Sequence, residues 1–264
     1  MPRDCPVVVC FGGVDPSAGA GVLADALTIA ALECHPACIV TALTIQDTNG
    51  VAALHPTPPD IVEEQARVLL ADVPPQVFKL GALAQAETAR RIAQVLRQFP
   101  NVPVILDPVL ASGRGDSLAQ GDLVEAMVAD LLPCVTLVTP NGPEARRLSG
   151  NDDLADCAAA LIADGARQVL ITGGHEGGKM VMNTLYNAAG PLRRDAWPRL
   201  PGEFHGSGCT LASAIAAWLA RGSSIEDAVY QGQQFTQQCL AAAIHPGQGQ
   251  AIPLRRPAVE AAHA

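Results

Sequence analysis

The sequence predicts an α/β fold of three layers, α/β/α, with a mostly parallel central sheet. Three observations predict it. Apolar, β-prone runs alternate with helical patterns from one end to the other. The strand-like runs are continuously apolar, as strands buried on both faces are. No linker, repeat or low-complexity tract interrupts the alternation, so residues 1–264 are expected to form one domain.

Each element has its own signal. Pro6–Phe11 is an apolar run read as a strand, and Ala20–Leu32 as a helix with Leu23, Leu27, Ala30 and Ala31 on one face. Cys38–Leu43 is the next strand, followed by a helix over Asp60–Ala71 with Ile61, Val68 and Leu69 inward. Val77–Leu80 is a short strand, and Glu87–Gln98 a helix whose face carries Ile92, Leu96 and Phe99. Val102–Leu106 is a buried strand closing on Asp107. Gly121–Leu132 reads as a helix and Val135–Thr139 as a strand, and a short helix begins near Pro143, a residue suited to a first turn. Leu154, Ala158, Leu161 and Ile162 share a helix face that Gly165 stops. Gln168–Thr172 is a strand and Met180–Tyr186 an antiparallel neighbour. Leu211, Ile215, Trp218 and Leu219 mark a helix ending at Gly222, and Ser224 with Asp227 opens the last long helix as a capping box.

Composition narrows the function. The net charge is −9 and no basic run exists, which excludes nucleic acid as the expected partner. A single nucleotide stays compatible, since it needs only a local nest of amides and a metal ion. The longest apolar runs are too short to span a bilayer, and no secretory leader is evident, so a cytoplasmic protein is expected. None of the eight cysteines forms a CxxC pair, and most lie in apolar segments, as reduced core cysteines do.

The strongest chemical signal is His205-Gly206-Ser207-Gly208-Cys209-Thr210, where a Gly-Ser-Gly turn runs directly into a strongly periodic helix. Unpaired amides at a helix start, backed by the helix dipole, form an anion site, and glycines let a phosphate approach the backbone. Cys209 falls in the first turn, where a lowered thiol pKa is expected. A second glycine-rich stretch, Gly12 to Asp25, also follows a strand. Its Gly19-x-Gly21-x-x-Ala24 imitates a dinucleotide fingerprint, but seven residues separate Phe11 from Gly19, whereas that fingerprint turns tightly out of its strand. Gly173 to Lys179 imitates a P-loop, but Met180 stands where a Mg²⁺-binding hydroxyl belongs, and a strand rather than a helix follows. Asp107 at a strand end and Glu144 in a first helical turn are placed to hold Mg²⁺ through water. Glu144 equally suits plain dipole compensation.

Taken together these segments resemble the hydroxymethylpyrimidine/phosphomethylpyrimidine kinase family of thiamin biosynthesis, within the ribokinase-like superfamily. The matching pieces are Asp15-Pro-Ser-Ala-Gly-Ala-Gly with Asp25, Thr41 to Thr48, Lys79-Leu-Gly81 and Leu106-Asp107-Pro-Val109. Thr139 to Ala145, Thr172-Gly-Gly-His175 and the His205 to Leu211 stretch complete the set, in family order over nearly the whole chain. The resemblance implies that Gln46 recognises the aminopyrimidine edge, for which a carboxamide offers both donor and acceptor. It implies that Gly13 and Val109 line the same site through backbone groups and that Asp25 sits on its rim. Gly206, Ser207, Gly208 and Cys209 would hold the transferring phosphoryl group, with Cys209 accepting or relaying the hydroxyl proton. Asn141, Thr172 and Gly174 would serve ATP, and Asp107 and Glu144 the Mg²⁺. A homodimer is implied by the superfamily. The chain departs from the family pattern at Val14, Ala18 (where a glycine is common), Leu23, Ala82 and Thr172, and at Gly113-Arg114-Gly115, where Arg114 is a candidate phosphate cation.

Three rivals remain at this level. One is a pyridoxal or pyridoxine kinase of the same superfamily. Another is a cysteine hydrolase using Cys209 with His205 or His175. The third is a non-catalytic binder of nucleotide or thiamin precursor.

Overall fold

The computed structural model describes residues 5–111, 118 and 121–256, so Arg114 lies outside the described residues. Strands β1 (Val7–Val14), β2 (His35–Gln46), β4 (Val77–Leu80), β5 (Val104–Leu106), β6 (Leu137–Val138) and β7 (Gln168–Ile171) run parallel. Antiparallel strands extend both edges: β3 (Val51–Pro56) beside β2, and β8 (Met180–Asn187) with β9 (Gly190–Pro198) beyond β7. Among the described residues the sheet order is β3-β2-β1-β4-β5-β6-β7-β8-β9. β1, β4 and β5 are almost wholly buried, which their unbroken apolar runs require. β3 and β9 went unforeseen because half-exposed edge strands carry no such run.

Helices α1 (Gly21–Ala31), α7 (Ser207–Ala220) and α8 (Ile225–Ala241) cover one face. Helices α2 (Pro59–Asp72), α3 (Ala86–Leu96), α5 (Gly142–Ser149) and α6 (Leu154–Ala163) lie over the other. The expected helix over 121–132 is instead a short α-helical turn, α4 (Leu123–Ala126), that widens into a π turn over Met127–Leu131. Ser224 caps α8 as foreseen: its Oγ accepts from the Asp227 amide at 3.2 Å. No helix among the described residues is long and apolar enough to cross a membrane. The eight cysteines are free.

Two helix faces are turned from their expected direction. α1 buries Val22, Ala24, Asp25, Thr28 and Ile29 and leaves Leu23 and Leu27 exposed. Its inner side meets β1, β2 and α7 at close range, so small residues and one ion-paired carboxylate occupy it. α2 buries Val62 and Ala66, with Leu69 partly packed, while Ile61 and Val68 face solvent. On α3, Ile92 and Leu96 are buried as expected, and Phe99 just beyond it meets Phe78 edge-on at 5.6 Å.

The chain leaves β1 in one direction for β2 and later returns to β4 on the other side. Loops on either side of such a switch diverge and open a crevice at the carboxyl ends of the strands. A cavity of about 750 Å³ occupies that crevice.

Candidate active site

The floor of the crevice is the start of α7. Gly206 adopts a left-handed conformation (φ +80°) as the residue before the helix, and a Cβ there would collide with the Gly19 carbonyl. The amides of Ser207, Gly208 and Cys209 occupy the first turn, where no intrahelical acceptor exists. All four residues line the cavity. Gly208 faces Asp107: an added Cβ would stand 3.6 Å from its Oδ1.

The loop between β1 and α1 closes against this turn. Asp15 accepts hydrogen bonds from the Ser17 amide and hydroxyl and from the Ala20 amide, each at 2.8 Å. His205 Nε2 meets the Asp15 carboxylate at 2.7 Å. Burial would raise the Asp15 pKa, but the bonds from His205, Ser17 and Ala20 outweigh it and hold the carboxyl below its ordinary range. Ala18 sits at φ +57°, which explains why glycine suits that position.

Beneath the cradle lies a buried ion pair. Lys79 Nζ bonds both oxygens of Asp25 at 2.8 and 2.9 Å, and Ser213 donates to Asp25 Oδ1 at 2.7 Å. Burial alone would lower the Lys79 pKa, yet Asp25, with Cys209 and Asp107, raises it. Asp25 was expected on the rim; it is fully buried at the base of the cavity, because only the Lys79 ammonium makes its burial affordable.

Cys209 requires a correction. The helix start was expected to lower its thiol pKa, but burial pushes it up to about 12, with Asp107 and Asp25 adding to the shift and Lys79 opposing it. The thiol is therefore neutral near pH 7. His205 is committed to Asp15, and His175 lies in the separate turn Gly173–His175. Nothing here assembles the activated thiolate a cysteine hydrolase needs.

Asp107 and Glu144 face the same space. Asp107 Oδ2 is buried without a partner, and burial followed by the nearby Asp25 raises its pKa to about 6. Glu144 and Asn141 form a capping box on α5: each accepts from the other's amide at 2.9 Å. Burial and the Asp107 charge raise the Glu144 pKa to about 8. A carboxylate with an orphaned oxygen beside a second one whose pKa it raises fits a cation between them. Among the described residues no three His, Cys, Asp or Glu side chains cluster as a metal site.

The remaining expected residues line the same cavity. Gln46 ends β2 at a register shift beside the turn into β3, and Gly13 follows a bulge where β1 pairs with β2. Val109 follows Asp107. At the far end, Asn141 caps α5 and bridges to Thr172, with Gly174 in the turn beyond. That turn leads into β8, so the P-loop imitation has no helix to open.

Sequence reasoning missed several residues here. Arg199 donates to the carbonyls of Gly173, Gly174, Glu176 and Gly178 and clasps the loop. Asn183, Trp197 and Asp195 converge on the buried Gln233 carboxamide at 2.8 to 2.9 Å. In the sequence Lys79 stands out only as part of the Lys79-Leu-Gly81 stretch. No motif surrounds Arg199, Gln233 or Arg255.

A parallel sheet with its cavity at the strand ends, floored by an amide cradle and flanked by two carboxylates, defines a phosphotransferase of the ribokinase-like fold. Staphylococcus aureus pyridoxal kinase in complex with pyridoxal superposes with a TM-score of 0.86 at 28% identity, covering 95% of this chain and 93% of that one. Clostridium difficile phosphomethylpyrimidine kinase superposes at 0.77 and 28% identity, covering 90% and 100%. A family profile described as phosphomethylpyrimidine kinase matches residues 15–254. The hydroxymethylpyrimidine/phosphomethylpyrimidine kinase of Mycobacterium tuberculosis is 38% identical over 253 residues, 92% of this chain and 91% of that protein. Its counterpart from Rhizobium meliloti is 34% identical over 251 residues, 92% and 94%. The chain belongs to the phosphomethylpyrimidine kinase family.

Proposed function

We propose that this protein transfers the γ-phosphoryl group of ATP to 4-amino-5-hydroxymethyl-2-methylpyrimidine, to its monophosphate, or to both in turn. One observation carries the proposal: the amide cradle of α7 opens on the same cavity as Gln46 and the Asp107–Glu144 pair. Gln46 offers a donor and an acceptor to the aminopyrimidine edge, with Gly13 and Val109 supplying backbone groups. ATP lies along the end formed by Asn141, Thr172 and Gly174. Asp107 and Glu144 would hold Mg²⁺, which when bound would neutralise charge on the phosphate oxygens.

The chain's own groups do the rest. The first-turn amides of α7 grip the transferring phosphoryl, aligned with a helix dipole that costs no reorganisation during reaction. The Lys79–Asp25 pair is tied to α7 through Ser213, whose hydroxyl donates to Asp25 Oδ1 at 2.7 Å. The phosphoryl transition state is loose, so the acceptor hydroxyl keeps its proton until late. A neutral Cys209 thiol is compatible with that timing: it takes no proton at the outset, and it can receive the late hydroxyl proton only by passing its own to an oxygen of the transferred phosphoryl group.

A pyridoxal kinase is the second reading, favoured by the higher TM-score of the Staphylococcus enzyme. The closer sequence kinship lies with the pyrimidine kinases. ADP release is to be measured with Mg²⁺-ATP and, separately, hydroxymethylpyrimidine, its monophosphate and pyridoxine. Turnover with either pyrimidine supports the proposal; turnover with pyridoxine alone overturns it. ATP binding without ADP release in all three would instead mark a non-catalytic binder. We also propose a cytoplasmic homodimer that does not engage nucleic acid. Leu27, Leu43 and Ile45, 48%, 57% and 57% exposed, are apolar side chains a second copy would cover, and light scattering tests it.

A further inference from the structure

Arg255 is 7% exposed and, unlike Gly206 to Cys209, does not line the cavity. Nε donates to Thr210 Oγ1 at 2.9 Å, and Nη1 to the Ala18 carbonyl at 3.0 Å. Nη2 reaches the Gly19 carbonyl at 2.6 Å and the Gly206 carbonyl at 3.4 Å. None of these acceptors is a carboxylate. A guanidinium buried with hydrogen bonds only to neutral oxygens is costly, since the Asp25 and Asp15 carboxylates act on it only through space and burial still lowers its pKa. Simple fold stabilisation is better served by an apolar side chain of similar size.

The geometry points to Arg255 as a positioning residue that sets the aim of the phosphoryl-binding amides and locks the first glycine-rich loop to them. C=O and N–H of one peptide point in opposite directions. The Gly206 carbonyl is held from behind by the Thr210 amide at 3.0 Å, the Thr210 hydroxyl at 2.8 Å and Arg255. The N–H of Ser207, in that same peptide, is therefore turned the other way, to the cavity side. Gly206 alone is free to rotate into other conformations, so the anchored carbonyl is what removes that freedom. The same guanidinium fixes Ala18, whose φ of +57° is unfavourable for a residue with a Cβ, and Gly19, which packs on His205. One planar fork thus ties residues 18–19 to residues 206–210 at a set distance. Its charge adds positive potential behind the anion site. A lysine has neither the fork nor the reach to serve several carbonyls in one plane.

The inference rests on the phosphoryl-transfer reading above, and the test separates the two. Steady-state ADP release is to be compared for the wild type, Arg255→Ala, Arg255→Lys and Thr210→Val. Arg255→Ala is expected to lose about 30-fold or more in kcat, with KM for the pyrimidine and ATP changed far less, because misaimed donors weaken the transition state more than ground-state binding. Guanidinium chloride at sub-denaturing concentration should restore activity to Arg255→Ala, whereas sodium chloride at equal ionic strength should not. Arg255→Lys should remain impaired. A merely structural role would be unmoved by added guanidinium. If Arg255→Ala fails to fold, Thr210→Val decides: a fall in kcat at constant KM supports the inference, and wild-type kcat overturns it. Wild-type kcat in Arg255→Ala, or equal rescue by either salt, also overturns it. A wild type that turns over none of the three acceptors overturns the functional proposal, and this inference with it.

Discussion

The two ends of the cavity use one device in different surroundings. At the cradle end, Arg255 gathers carbonyls from two segments while buried, and Asp15 and His205 close the same corner. At the far end, Arg199 gathers carbonyls of the 173–178 loop while exposed, and the neighbouring Arg146–Glu176 pair, at 3.0 Å, is half exposed too. Burial decides what each clasp is worth. Where water is excluded, a lost donor leaves its acceptors unsatisfied; where water is present, it replaces the donor. The cradle end is therefore the more preorganised of the two, which suits the proposed placing of the transferred phosphoryl group there and of the nucleotide at the far end.

Substitutions can break or sharpen that contrast. The largest effect is expected from Gly206→Ala, which meets both a left-handed backbone and the Gly19 carbonyl. A loss of about 3 kcal/mol or more, with activity abolished, follows from strain and overpacking together, read by chemical denaturation and ADP release. Asp15→Asn comes next, at about 2 kcal/mol near neutral pH, since hydrogen bonds to a charged acceptor are lost. Its pH dependence has a definite sign. The folded Asp15 pKa lies below its ordinary 3.8, so its contribution is complete above that value and vanishes as pH falls through the lower folded one. Thermal melts of wild type and Asp15→Asn should thus converge on acidification.

Cys209→Ala tests the neutral thiol: kcat should fall no more than about 10-fold, or about 1.4 kcal/mol, in single-turnover measurements. A far larger loss would restore the base role. Ala18→Gly should stabilise the protein by up to about 1 kcal/mol, seen as a raised Tm, because relief of the left-handed strain exceeds the added chain entropy. Arg199→Ala should cost the least, within about 1 kcal/mol of stability, with its effect confined to KM for ATP. A cost matching that of Asp15→Asn would erase the distinction between the two ends.

Much of this was legible in the chain, and the illegible part has a pattern. Continuously apolar strands announced the parallel core, while β3 and β9, half exposed at the edges, carried no such mark. The periodicity of α1 and α2 gave helices correctly but the wrong faces, since Leu23, Leu27, Ile61 and Val68 point outward. Apolar spacing identifies a stripe; what the stripe meets is settled by the neighbours. Among site residues, the Gly206 to Cys209 turn was readable because its groups lie within a few residues of one another, whereas Glu144 was placed in a first helical turn without its capping box with Asn141.

By itself, then, the sequence determined what local chemistry can encode: the alternation of elements, the glycines that free backbone amides, the helix caps, and the carboxylates at strand ends. Only the tertiary structure decided the charge state of Cys209, the burial of Asp25 on Lys79 54 residues away, and the reach of Arg255 to Gly19 across 236 residues. The physical reason is that desolvation and ion pairing depend on which surfaces exclude water together. That is set by packing between distant segments, and no window along the chain contains it.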